Sequence, residues 1–79
     1  MQTSDINSES IAHGTPEMYR EHIHEMLEMA QIQAELGTTY AAIGDDTGLE
    51  YALRRLKAYM RAAIGSFVDL RAMKEGGDL

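Results

Sequence analysis

Between Pro16 and Gly76 the chain has one stretch able to interrupt a helix, Gly44-Asp45-Asp46-Thr47-Gly48, and its only proline stands at the edge of that span. Two glycines and two aspartates within five positions favour a turn over a continued helix. On either side, apolar residues recur at helical spacing rather than in the alternation of a strand. A helix, a short turn and a second helix make an antiparallel hairpin. The expected fold class is therefore all-α, an antiparallel two-helix hairpin with its first helix over about 15–43, a turn at 44–48 and a second helix over about 48–75.

The expected ends follow from capping chemistry. Thr15 can accept a hydrogen bond from a free amide of the first turn, Pro16 suits the first helical position, and Glu17 complements the positive end of the dipole. Gly37 is the one weak point inside this helix. Thr47-Gly48-Leu49-Glu50 reads as a capping box that opens the second helix, and Gly76-Gly77 as its left-handed stop. Residues 1–14 are polar and lack periodicity, which predicts a disordered tail, and residues 76–79 form a short end segment.

The two helices differ in the width of their apolar faces. On the second, Leu49, Ala52, Leu53, Leu56, Tyr59, Met60, Ala63, Ile64, Phe67 and Leu70 fall on an arc of about 140°. Arg54, Arg55, Arg61 and Asp69 lie opposite, interleaved with the low-profile Ala58, Ala62 and Gly65. On the first helix the apolar residues spread over roughly 220°, which one neighbour cannot cover. Ile23, Leu27, Ala30, Ala34 and Ala41 form one stripe; Met29, Ile32, Leu36, Tyr40 and Ile43 form another. Two stripes predict two neighbours, the second helix and another chain. Met29, Ile32, Leu36 and Ile43 are the expected dimer interface, closing a four-helix bundle.

Size and charge narrow the function. A chain of 79 residues without cysteine has neither disulfides nor a thiolate metal site to reinforce a small core, which again points to oligomerisation or partner binding. The polar, acidic start lacks the apolar core of a signal peptide, and no stretch approaches a membrane span, so a cytoplasmic protein is expected. A net charge of −6 opposes nonspecific binding to nucleic acid. Its distribution is uneven: Glu17, Glu21, Glu25, Glu28 and Glu35 against Arg20 on the first helix, six cations including Arg54, Arg55, Lys57 and Arg61 on the second.

Chemical motifs are sparse. Glu21 and His24 have the Glu-x-x-His spacing of di-iron bundles, yet they lie on a polar arc with Glu17, Glu28 and Glu35, the pattern of a solvated acidic face. His22 lies within the apolar arc, as a boundary residue does, and Gln33 reads as a polar specifier in an interhelical seam. There is no cysteine nucleophile, phosphate-binding loop or Ser, His and Asp set with a pocket to hold it, so neither catalysis nor a metal or other cofactor is expected. Six methionines and four tyrosines supply adaptable and anchoring side chains instead.

The expected activity is binding and inhibition or modulation of another protein, such as a transcriptional regulator or a motor ATPase, with Tyr19, Ile23, Met26, Tyr40 and Tyr51 as anchors. In layout the Thr15 to Lys74 hairpin resembles the small acidic helical inhibitors that bacteriophages make against host proteins, including anti-activators of quorum-sensing regulators. That resemblance implies inhibition by occupying a host protein. Two alternatives use other residues. An RNA-binding dimer, similar in layout to plasmid copy-number regulators, would use Arg54, Arg55, Lys57 and Arg61; a metal-storing bundle would use Glu21, His24 and Glu28.

Overall fold

The computed structural model describes residues 14–77. The expected polar tail lies outside the described residues except for Gly14, as do residues 78 and 79. The described residues form two helices, α1 (Pro16–Ile43) and α2 (Asp46–Gly77), packed against each other as a hairpin.

The start of α1 is built as its residue types dictate. Thr15 is extended, with φ −131° and ψ 162°, and its hydroxyl accepts from the Met18 amide at 3.2 Å. The helix ends where Gly44 turns left-handed at φ 73°, a conformation that costs a glycine little. The Gly44 and Asp45 amides then donate to the Ala41 and Tyr40 carbonyls, at 3.3 and 2.9 Å, and satisfy the last turn.

The structure corrects the expected turn. It is Gly44 and Asp45 alone, and α2 begins at Asp46 without the Thr47 capping box. Asp45 is the cap: its Oδ1 accepts from the Gly48 amide and its carbonyl from the Leu49 amide, both at 2.9 Å. A carboxylate both accepts that amide and complements the helix dipole, which a threonine hydroxyl two residues later cannot match. Glu50, expected to reach back, instead pairs with Arg54 at 2.8 Å. At the other end α2 runs on through Gly76 to Gly77, and Gly76 does not adopt the expected left-handed stop.

A second correction concerns the core. On α1 the side facing α2 consists of Tyr19, Ile23, Met26, Ala30, Gln33, Gly37 and Tyr40; on α2 it consists of Leu49, Ala52, Leu56, Tyr59, Ala63, Ser66, Leu70 and Met73, all buried or half-buried. Both sets repeat with strict alternation of three and four, the narrow seam of a coiled coil rather than the broad stripe of a globular core. Leu53, Met60, Ile64 and Phe67, expected inside, are consequently exposed, as are Leu27, Ala34 and Ala41.

Small residues set the spacing of this seam. Ala30, Ala52 and Ala63 are buried, Leu70 is the one large apolar residue buried with them, and among the described residues no large side chain is fully enclosed. At Gly37 an added Cβ would lie 3.7 Å from Ala52 Cβ and 3.8 Å from Leu49 Cδ1, ordinary contact distances. At Gly48 it would lie 2.8 Å from both Tyr40 Cδ1 and Asp45 Oδ2, so the Tyr40 ring rests on bare backbone.

These two glycines should respond in opposite directions. Gly37→Ala is expected to stabilise the hairpin by about 0.5–1 kcal/mol through helix propensity, and Gly48→Ala to destabilise it by about 1–3 kcal/mol through overpacking. Urea unfolding followed by circular dichroism, at one fixed protein concentration, measures both. The same assay checks the cap: Asp45→Ala should cost about 1 kcal/mol and Thr47→Ala only a few tenths.

Candidate functional site

A seam this narrow leaves two flanks on every helix, and their pairing defines two faces of the hairpin. Leu27, Ala30 and Ala34 of α1 meet Leu56 and Met60 of α2 around one open groove of about 510 Å³, with His24, Glu28 and Gln31 on its rim. Leu53, Ile64 and Phe67 continue the α2 side of this groove face at helical spacing, 53 %, 57 % and 49 % exposed.

The remaining flanks share the opposite side. There α1 presents Met29, Ile32, Leu36 and Ile43, all exposed, and α2 presents Tyr51, Arg55, Ala58 and Ala62. The four expected dimer residues therefore form one continuous stripe that α2 of the same chain does not cover.

Across this stripe stands a ladder that one-turn spacing on α2 builds. Arg55 donates through Nη2 to the Tyr59 hydroxyl at 2.6 Å and through Nη1 to the Tyr51 hydroxyl at 3.5 Å. Its guanidinium carbon is 5.6 Å from the Tyr51 ring centre and 5.5 Å from that of Tyr59, within cation–π range. The electrostatic influence of the Tyr51 side chain foremost, then the hydrogen bond to Tyr59, raise the Arg55 pKa above its ordinary value. The result is a permanent cation held in a fixed place between two aromatic rings.

The expected anchors divide accordingly. Tyr19, Ile23, Met26 and Tyr40 are half-buried in the α1/α2 seam, whereas Tyr51 is 60 % exposed on the ladder face. Tyr19 also covers Gly14, where an added Cβ would lie 2.9 Å from its ring. From the sequence Tyr51 is expected beside Arg54 and Arg55, but the link through Arg55 to Tyr59 is not; the i, i+4, i+8 spacing of Tyr51, Arg55 and Tyr59 was the available signal.

The residues of the two alternative readings are also placed. Arg54 and Arg61 lie along the outer edge of α2, with Arg54 held by Glu50; Lys57 lies on the groove side, lining one depression with Leu53, and Arg55 belongs to the ladder about 100° from Arg54 around the helix. His24 Nδ1 stands 3.7 Å from Glu28 Oε1 on an open surface, and among the described residues no three acidic or histidine side chains gather in a metal-binding group. No described helix is long and apolar enough to cross a membrane.

Gln33 sits in the seam, 8 % exposed, and its Oε1 is buried without a hydrogen-bond partner. Comparison with protein-family models, curated proteins and solved structures finds no match to this chain.

An unpaired buried acceptor costs about 1–3 kcal/mol, so Gln33→Leu should raise stability by about 1 kcal/mol or more. An unchanged urea midpoint in that variant would mean that the amide is satisfied in solution.

Proposed function

We propose that this chain is a non-enzymatic binding module that occupies a helix-accepting surface of another protein and thereby inhibits or modulates it. The observation that carries the reading is the ladder face, an exposed apolar stripe of α1 lying beside Tyr51, Arg55 and Tyr59. Tyrosine and arginine dominate interface hot spots because each combines large contact area with a directed polar end. Here the arginine is already held by its neighbours, so little side-chain freedom remains to be lost on binding. The apolar stripe supplies affinity, and the Arg55 guanidinium selects a partner segment with a carboxylate at the matching height.

The acidic surface and the absence of cysteine fit action in the cytoplasm against a protein partner rather than a nucleic acid. Inhibition by occupation is also the mode that the resemblance to small phage-made inhibitors implies. A regulator or motor whose own helices pair through an apolar groove would be the natural target, since this hairpin offers a competing helix of similar chemistry.

The test compares binding by face. Once a partner is recovered by affinity capture with the full chain, Ile32→Asp, Arg55→Glu and Tyr51→Ala are assayed against it by calorimetry, with helicity checked by circular dichroism. Each should weaken binding by about tenfold or more, as loss of a hot-spot side chain does, with the fold unchanged. If all three bind as the parent chain does, the ladder face is not the binding surface.

A further inference from the structure

We propose that the groove face is a self-association surface, taken by a second copy of this chain whose α2 lies over α1 of the first, about a twofold axis parallel to the helices. This assigns the second copy to the side away from Met29, Ile32, Leu36 and Ile43, where the sequence alone placed it.

The chemistry of the two faces separates them. At the middle of the ladder face stands Arg55, which lies level with Gln33 across the seam. A twofold axis through that face would bring two permanent guanidiniums together inside a bundle, away from water, with no carboxylate beside them; like charges so placed repel strongly. Between the two helices the groove face holds no charge: Glu28 stands on its rim and Lys57, beside Leu53, at its margin. Its core-directed side chains are Leu27, Ala30 and Ala34 on α1, with Leu53, Leu56 and Met60 on α2.

Shape selects the orientation. On this face α1 is low, with alanines at 30 and 34, whereas α2 is high, with Leu53, Met60, Ile64 and Phe67 protruding. An axis parallel to the helices sets the high α2 of each copy into the low α1 flank of the other, twice over, as an isologous contact requires. An axis perpendicular to the helices would instead oppose ridge to ridge and leave the two low flanks apart.

Charge selects the same orientation independently. Within α1 five glutamates face one arginine, a net of −4; within α2 six cations face Asp46, Glu50, Asp69 and Glu75, a net of +2. Laying α1 over α2 of the second copy pairs opposite signs along both edges, and the perpendicular axis pairs like with like. The register is set by the groove, where Leu27 lies level with Met60 and Ala34 with Leu56. A parallel axis preserves height, so Glu28 comes level with Arg61 of the second copy and Glu35 with its Arg54.

Sedimentation equilibrium of the full chain gives the first outcome: a dimer is expected at micromolar concentration, and a monomer throughout the micromolar range overturns the proposal. Two charge-swapped variants test the orientation. Glu28→Lys with Glu35→Lys makes both helices basic, and Arg54→Glu with Arg61→Glu makes both acidic. Each alone should dimerise about tenfold or more weakly than the parent chain, and an equimolar mixture should recover parent-like affinity. Parent-like dimers from either variant alone would overturn the antiparallel α1-over-α2 arrangement.

A third pair separates this proposal from the binding reading. Ile64→Asp should yield a helical monomer that still binds the partner, and Ile32→Asp a dimer that no longer does. If Ile64→Asp unfolds, Phe67→Ser provides the milder lesion with the same expected shift toward monomer. The converse pattern, with Ile32→Asp monomeric and Ile64→Asp dimeric, overturns the assignment of faces. Dimerisation as proposed with no loss of partner binding in Ile32→Asp refutes the binding reading alone.

Discussion

The close approach of α1 and α2 is the constraint from which the rest of the molecule follows. Small residues occupy four buried seam positions, Ala30, Gly37, Ala52 and Ala63, and small side chains at a contact let helix axes lie close. Close axes confine the contact to the strict alternation of three and four residues that a coiled-coil seam allows. Most large apolar residues outside that seam are left exposed, including Leu53, Ile64 and Phe67 on one flank and Ile32, Leu36 and Ile43 on the other. A wider seam with leucines at those four positions would separate the helices and enclose more of both flanks. The exposed apolar surface of this hairpin is thus the counterpart of its small-residue core.

The same constraint explains what could be read from the residues and what could not. The hairpin, the Thr15 cap and the end of α1 at Gly44 were legible because each rests on local chemistry: a hydroxyl next to free amides, a glycine where φ must turn positive. The Asp45 cap was obscured by a competing local signal, since Thr47 and Glu50 have capping-box spacing and only the three-dimensional turn decides between them. The division between seam and surface is not local at all. Leu53 and Met60 lie only about 40–60° around the helix from Leu56, so a helical wheel merges all three into one face. Only the position of the second helix decides that Leu56 belongs to the seam and its two neighbours to the flank beside it.

The candidate site was partly legible for the same reason. The excess of apolar width on α1 announced an uncovered stripe, and Met29, Ile32, Leu36 and Ile43 are exposed in the hairpin. Placing four of the five expected anchors required knowing which flank faced α2: Tyr19, Ile23, Met26 and Tyr40 are half-buried in the seam, leaving Tyr51. The ladder needed no tertiary information, because Tyr51, Arg55 and Tyr59 stack along one helix. It is also what gives the two faces different chemistry. A desolvated cation is tolerable opposite a partner's carboxylate and intolerable opposite its own copy.

That asymmetry fixes the geometry of any complex the proposals describe. With the groove faces joined back to back, the two ladder faces of a dimer point away from each other, separated by the thickness of two helical layers. One dimer cannot then place both ladders on adjacent subunits of a single flat surface, so chelation and its gain in effective concentration are excluded. It can bridge two separate target molecules, giving a complex of two chains and two targets. Self-association and target binding also draw on different residues, so a target adds to the dimer instead of competing with it. Any coupling between the two faces must pass through the seam, where Gln33 holds a buried acceptor without a partner. An amide oxygen buried without a partner is a weak point of that seam, and a change in helix spacing at one face would act on it.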